Sequence, residues 1–188
     1  MKRRKNTLEQ ENIGKFKVLE ENLSYQDKWL KMFSCKVLLP NKEIANWSYG
    51  VGQDAVSAVV MDEKQNIFLI KEWRLPWKKE IITLPVGRIE GKSIIKYLKL
   101  ELCQEIGYFG RKVEKLITFM LGHRIKIKFH VFLVRDLYEC KIKPEKHEFI
   151  KVLKIPFEKA FSMFFEKNIE TTADTLIGLL LTKKKLNL

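Results

Sequence analysis

Three segments near the start of the chain, FKVLEENLSY, KWLKMFSCKVLL and KEIANWSYGV, are rich in β-branched and aromatic residues, and Pro40-Asn41 separates the last two. This pattern predicts three strands, with a hairpin between the second and third. DAVSAVVMD and NIFLIKEW predict two more, joined by the polar EKQ, and the run AVSAVV is long enough for a strand buried on both faces. The period then changes. Between Lys92 and Ile106 the apolar residues fall at 94, 95, 98, 102, 103 and 106, the spacing of a helix, and Gly107 stands where that helix would end. VEKLITFML and KIKFHVFLVRDL return to strand character, and EFIKVLKI predicts another strand. Pro156 opens a helix to about Lys167. TADTLIGLLLTKK predicts a closing helix. The order is strands, helix, strands, helix, helix, with no internal repeat. One domain is expected over residues 15–188, after a polar, disordered stretch at 1–14.

Composition narrows the class. A chain of 188 residues with 46% hydrophobic and 31% charged residues is globular and long enough for a sizeable core. No run of eighteen apolar residues exists, so no membrane-spanning helix is expected. The basic start MKRRKNTLEQENIG lacks the apolar segment of a secretory signal. Cys35, Cys103 and Cys140 are widely spaced and odd in number. They suggest neither a disulfide framework nor a metal-binding pair, and free thiols in the cytoplasm are the expectation. The net charge of +13 raises the question of nucleic acid. The basic residues are spread along the chain, with small clusters only at KRRK and KKK, and no nucleic-acid-binding motif accompanies them. An anionic small-molecule substrate suits the charge equally well.

The chemistry lies in LPVGRIEGKSIIKYLKLELCQEIGYFG, residues 84–110. Residues three and four apart on a helix share a face, so Glu101, Gln104 and Glu105 project together while the apolar set turns to the core. The preceding LPVG and RIEG form a tight turn whose backbone carbonyls can point at the same face. Two carboxylates and a carbonyl are hard oxygen ligands suited to magnesium or manganese. Solvated surface charge is the competing reading of such a pair.

The stretch from Gly87 to Tyr108 resembles the Nudix box, the loop-and-helix signature of hydrolases that cleave nucleoside diphosphates linked to another group. The family pattern is Gly, five residues, Glu, seven residues, Arg-Glu, an apolar residue, any residue, Glu-Glu, any residue, Gly. Gly87 and Gly107 match its two glycines, Glu101 the Glu after the Arg, and Glu105 the second of the Glu pair. The loop is one residue short, and Lys92, Leu100 and Gln104 stand at the positions of the early Glu, the Arg and the first Glu of the pair. In the family the Arg typically orients a box carboxylate. Losing one partner strands the other, whereas Leu100 and Gln104 together remove both, a compensated change. Gln104 still offers a carbonyl oxygen, without charge.

Outside the box, KEWRLPWKKEIITLPVG resembles the ADP-ribose pyrophosphatase branch, with its aromatic-Arg-x-Pro stretch and a strand ending in Leu-Pro-Ala-Gly. Arg74 matches its substrate-binding Arg, Val86 the Ala whose backbone carbonyl binds metal, and Thr83 replaces its Glu before Leu-Pro. EFIKVLKIPFEKA matches the late strand and following helix, and TTADTLIGLLL the closing helix. The likeness runs over about residues 16–183. It implies an α+β, α/β/α Nudix sandwich of mixed sheets and helices, assembled as a homodimer through the N-terminal strands at about 15–52.

The resemblance also implies a site. Glu101, Glu105, Glu148 and the Val86 carbonyl would hold Mg2+, or Mn2+; Arg74, Gly87 and Gln104 would contact substrate; Trp29 and Trp47 would sandwich the base, one ring from each subunit. In the loop ECKIKPEKHEF, Glu145 is the candidate general base and His147 the second. His123 and Arg124 are either phosphate contacts or strand-end surface residues. Each role has a plainer rival: a strand-edge charge for Glu148, ordinary burial for the two Trp, an ion pair with Glu72 or Glu80 for Arg74. The implied activity is magnesium-dependent hydrolysis of ADP-ribose, or a related nucleoside diphosphate sugar, to AMP and a sugar phosphate. The altered box favours as its alternative a catalytically impaired nucleotide-binding module of the same fold.

Overall fold

The computed structural model describes residues 14–140, 142–143 and 149–188; the stretch expected to be disordered lies, but for Gly14, outside them. The strands are β1 (Lys17–Gln26), β2 (Leu30–Leu38), β3 (Ile44–Gly52), β4 (Ala55–Val60), β5 (Asn66–Arg74), β6 (Lys79–Thr83), β7 (Val86–Arg88), β8 (Tyr108–Met120), β9 (Ile125–Lys126), β10 (Lys128–Glu139) and β11 (Lys151–Pro156). The helices are α1 (Ile94–Glu105), α2 (Phe157–Phe165) and α3 (Ala173–Leu186). Two compact units form, one up to Gly52 with His123–Lys126, the other from Gln53 to Gly122 with Ile127–Leu188.

The first unit is a sheet of order β1-β2-β3-β9, antiparallel except for the parallel β3–β9 pair. The hairpin expected at Pro40-Asn41 closes with Lys42 at φ 69° and its N–H donating to the Leu39 carbonyl. Every residue of β1 is exposed, including Val18, Leu19, Leu23 and Tyr25.

In the second unit β7-β4-β10-β8 form a mixed sheet, with β4 and β10 parallel, and β11-β5-β6 form an antiparallel one. All six residues of β4 are buried. Successive strand residues point to opposite faces, so a central strand feeds two cores. Val56, Ala58 and Val60 of β4, Phe68 and Ile70 of β5, and Phe132 and Val134 of β10 pack with Leu98, Leu102 and Cys103 of α1. Val59 and Met61, Ile67 and Leu69, and Leu133 face the other way, onto Phe157 and Phe164 of α2 and Leu179 of α3. The result is the expected helix–sheet–helix sandwich.

α1 begins two residues after Lys92 and ends as the periodicity predicts: Gly107, at φ 75°, donates its N–H to the Leu102 carbonyl at 3.1 Å. Left-handed backbone there suits a residue without Cβ. Ile95, included in the apolar stripe, is 43% exposed. β6 and β7 were not resolved by periodicity. They are short, and β6 follows a helical turn at Leu75–Trp77.

The cysteines overturn the expectation of free thiols. Cys103 of α1 and Cys140, just past β10, are joined by a disulfide across 37 residues; Cys35 is free and buried. A disulfide depends on tertiary approach, here of a strand end to a helix end, and sequence spacing does not report it.

The turn between β4 and β5 is tied by Asp62. Its Oδ1 accepts from the Lys64 and Asn66 N–H groups at 2.9 and 2.8 Å, and its Oδ2 pairs with Lys154 Nζ of β11 at 2.8 Å. Burial alone raises this carboxyl; the Lys154 and Asn66 contacts reverse that and hold it at about 2. A depressed folded pKa contributes stability above the unfolded value, lost as pH falls through the folded one. Asp62→Asn keeps the side-chain shape and removes the charge. It is expected to cost about 2 kcal/mol at pH 7, with the deficit vanishing as pH approaches ~2. Urea unfolding of both proteins across that range checks it; a deficit independent of pH contradicts the linkage.

Candidate active site

The site is built where the short strand β7 meets α1. The strand before it is pinned from behind. Leu84 N–H donates to Thr175 Oγ1 of α3 at 2.9 Å, and Thr171 Oγ1 donates to the Ile82 carbonyl at 2.6 Å. Ala58 N–H donates to the Pro85 carbonyl at 3.3 Å, and β7 pairs with β4 through Ser57 and Val86, Val56 and Gly87, Ala55 and Arg88. The LPVG turn is thus fixed to the central sheet and to α3. Thr83, which stands where the resembled branch has Glu, is fully buried.

α1 packs its Leu98, Leu102 and Cys103 side into the core and turns Glu101, Gln104 and Glu105, each half-buried, away from it. Glu105 Oε2 accepts the Val86 N–H at 3.1 Å. Glu101 lies so close to Gly87 that a Cβ there would overlap its Cγ, Cδ and Oε1. A glycine is therefore required at 87 for close approach. Val86, Gly87, Glu101 and Glu105, expected to share one site, are brought to one place, with Gln104 on the same helix.

The donor set is two carboxylates, an uncharged amide and main-chain oxygen, the hard ligands that suit magnesium or manganese rather than a softer metal. Among the described residues no group of three or more His, Cys, Asp or Glu gathers as a metal site. Glu148, the third expected carboxylate, and Glu145 and His147, the expected bases, lie outside the described residues.

Arg74 ends β5, and its Nη2 pairs with Glu72 Oε1, while Glu80 pairs instead with Lys71. The ion-pair partner foreseen for Arg74 is therefore present. Arg74 also acts electrostatically on Asp174, whose carboxyl burial pushes up. Asp174 lines a mostly apolar cavity of about 430 Å³ with Trp77, Ile81, Phe119, Leu121 and Phe129.

The two expected base-stacking residues belong to the first unit. Trp29 stands just before β2 and Trp47 sits in β3, 38% and 36% exposed. The register pairs Leu30 with Gly52 and Cys35 with Trp47, which sets the two Trp roughly 20 Å apart along the sheet. One chain does not bring these rings face to face. Each carries a cation on its ring: Lys28 Nζ lies 4.2 Å from the Trp29 centroid and the Arg124 guanidinium 4.5 Å from that of Trp47. Arg124, one of whose expected readings was a strand-end surface residue, is thus a Trp47 contact, and its carbonyl accepts the Gly50 N–H at 2.8 Å. Only tertiary folding of the β8–β10 connection places it there. His123 is an exposed neighbour.

No family model matches the chain. It is 25% identical over 167 residues to the ADP-ribose pyrophosphatase of Bacillus subtilis (strain 168), covering 87% of each protein. It is 22% identical over 157 residues to a methanol dehydrogenase activator of Bacillus methanolicus, covering 81% of this chain and 85% of that protein. The crystal structure of an ADP compounds hydrolase superposes with a TM-score of 0.83 at 17% identity, over 93% of this chain and 95% of the other. The chain thus has the fold of that ADP compounds hydrolase, and its sequence is similar to that of an ADP-ribose pyrophosphatase over most of both proteins.

Proposed function

We propose that the chain is a hydrolase of the diphosphate bond in ADP-ribose or a related nucleoside diphosphate sugar, dependent on magnesium with manganese as a substitute, releasing AMP and a sugar phosphate. The observation that carries this reading is the convergence of Glu101 and Glu105 on Val86 and Gly87. It needs a glycine with no room for a Cβ and a helix end aimed at a pinned turn, which surface charge does not require.

In this reading Glu101, Glu105, Glu148 and the Val86 carbonyl hold the cation. Bound there, magnesium would supply Lewis-acid charge for a diphosphate and would lower the pKa of a water molecule. Arg74 keeps guanidinium donors beyond the Nη2 that pairs with Glu72, and these bind a phosphate oxygen. Glu145, with His147 as second candidate, accepts the proton of the attacking water. Trp29 and Trp47 hold the base. Their separation within one sheet supports a homodimer in which each copy contributes one ring, and the fully exposed β1 with its apolar Val18, Leu19, Leu23 and Tyr25 supports its pairing surface. We infer a cytoplasmic location; among the described residues no helix is long and apolar enough to cross a membrane.

The test is AMP release from ADP-ribose, followed by chromatography with magnesium and with excess chelator. The reading expects product only with magnesium. A second reading, a nucleotide-binding module with impaired catalysis, is favoured by Gln104 and Leu100. It expects tight calorimetric binding of ADP-ribose and no product.

Trp47→Ala is expected to weaken AMP binding roughly tenfold, the loss of one base–aromatic stack, while leaving the fold intact. Calorimetry checks it. Unchanged affinity removes Trp47 from the base site.

A further inference from the structure

We infer that Cys103 and Cys140 form a redox modification site, opened by a dithiol reductant, that sets the competence of the carboxylate helix. The inference rests on the reading of Glu101 and Glu105 given above.

Cys103 lies on α1 between those two carboxylates, at 1% exposure, and the disulfide joins it to Cys140 at the end of β10. The same two segments meet through backbone bonds: Cys140 N–H donates to the Gly107 carbonyl at 3.0 Å and Ile142 N–H to the Cys103 carbonyl at 3.3 Å. The C-terminal end of α1, which carries Glu105 to the Val86 N–H, is thus fastened to the segment that follows β10 by one covalent and two hydrogen bonds. Removing the covalent one leaves that end of the helix to its two hydrogen bonds and the core packing of Leu98, Leu102 and Ile106.

The bridge has one more open side. Cys103 is sealed in the core, while Cys140 is partly exposed, which makes it the half that an incoming thiolate would attack. Cys35, in the other unit and buried, leaves the pair without a competing thiol in its own unit. In a reducing compartment such a pair is a reversible element rather than a permanent staple.

The chemistry balances with one reductant. A dithiol thiolate attacks Cys140 Sγ, the S–S bond breaks, and its electron pair leaves on Cys103 Sγ, which takes a proton. The second thiol of the reductant then attacks its own bridged sulfur, releasing Cys140 as a thiol. The reductant ends as a disulfide, and two electrons have passed to the protein.

The full-length protein is equilibrated with oxidised or reduced dithiothreitol, denatured, alkylated and weighed, and the same samples are assayed for Mn2+ affinity and ADP-ribose turnover. One alkylated thiol in the oxidised form and three in the reduced form are expected, with Mn2+ binding and kcat/KM both about tenfold lower after reduction, as when a ligand's supporting contact is lost. Cys35→Ser is expected to keep the whole response, and Cys140→Ser to show the lower values in both conditions. Three alkylated thiols in the oxidised sample, or Mn2+ affinities equal in both states, overturn the inference. If neither state turns over ADP-ribose, the proposed activity fails, while thiol count and Mn2+ affinity still decide this site.

Discussion

Glu105→Gln is expected to lower the rate of AMP release from ADP-ribose about a thousandfold, equivalent to ~4 kcal/mol of lost transition-state stabilisation. The substitution is close to a pure charge deletion. Gln has the shape of Glu, and its amide oxygen can take the Val86 N–H that Glu105 Oε2 now accepts at 3.1 Å. The turn therefore stays in place and the melting temperature barely moves. What disappears is half of the negative charge that α1 presents, because Glu101 and Glu105 are its only acidic residues. In a box that retained its first paired Glu, a neighbour would share that role. Gln104 is already neutral, so nothing on the helix compensates. Initial rates at saturating magnesium check this; a mutant that keeps wild-type turnover contradicts the assignment of Glu105.

Gly87→Ala is expected to cost about a hundredfold in kcat/KM, the loss that accompanies displacing a reacting group by roughly 1 Å. The cause here is steric. The new Cβ would overlap the Glu101 carboxyl and Cγ, so either that side chain leaves the site or β7 shifts. β7 has little freedom to shift, being paired with β4 at Val56 and anchored through Leu84 to Thr175. Glu101 is the part that moves. Gly122→Ala, where a Cβ meets nothing within 4 Å, is the matched control and is expected to behave as wild type. Equal activity in both variants contradicts the close approach on which the site is built.

The fold was legible wherever one periodicity ran long enough. The apolar run of β4 read correctly as a strand buried on both faces, because Val56, Ala58 and Val60 feed one core while Val59 feeds the other. α1 read correctly from Leu98, Leu102 and Gly107, with Ile95 the exception that turns to solvent. β6 and β7 were beyond periodicity. A three-residue strand such as Val86–Arg88 is defined by its partner β4, not by its own alternation. Of the site, the helix spacing placed Glu101 and Glu105 on one face, while the requirement for Gly87 emerges only from the distance between turn and helix. The disulfide and the Arg124–Trp47 contact had no local signal. Each joins segments far apart in sequence, and each is created by the packing of a strand end or a hairpin tip.

The same geometry explains why an altered box is compatible with an intact fold. Leu100 and Gln104 stand where the resembled pattern has an Arg and a Glu, so neither of those two positions of α1 leaves a charge without its partner. In the proposed function, the cost of that exchange would fall on cation affinity. This is also why the fastening of Glu105, through Val86 on one side and the Cys103–Cys140 bridge on the other, carries more weight here than it would beside a full set of carboxylates.

The central claim is that the turn at Val86-Gly87 and the carboxylates of α1 form a divalent-cation site. The most direct measurement is anomalous diffraction from crystals of the full-length protein soaked in manganese. The account predicts a peak at bonding distance from the Glu101 and Glu105 carboxylates, beside the Val86 carbonyl. A soaked crystal with this fold intact and no peak there, or with manganese bound only elsewhere, contradicts it.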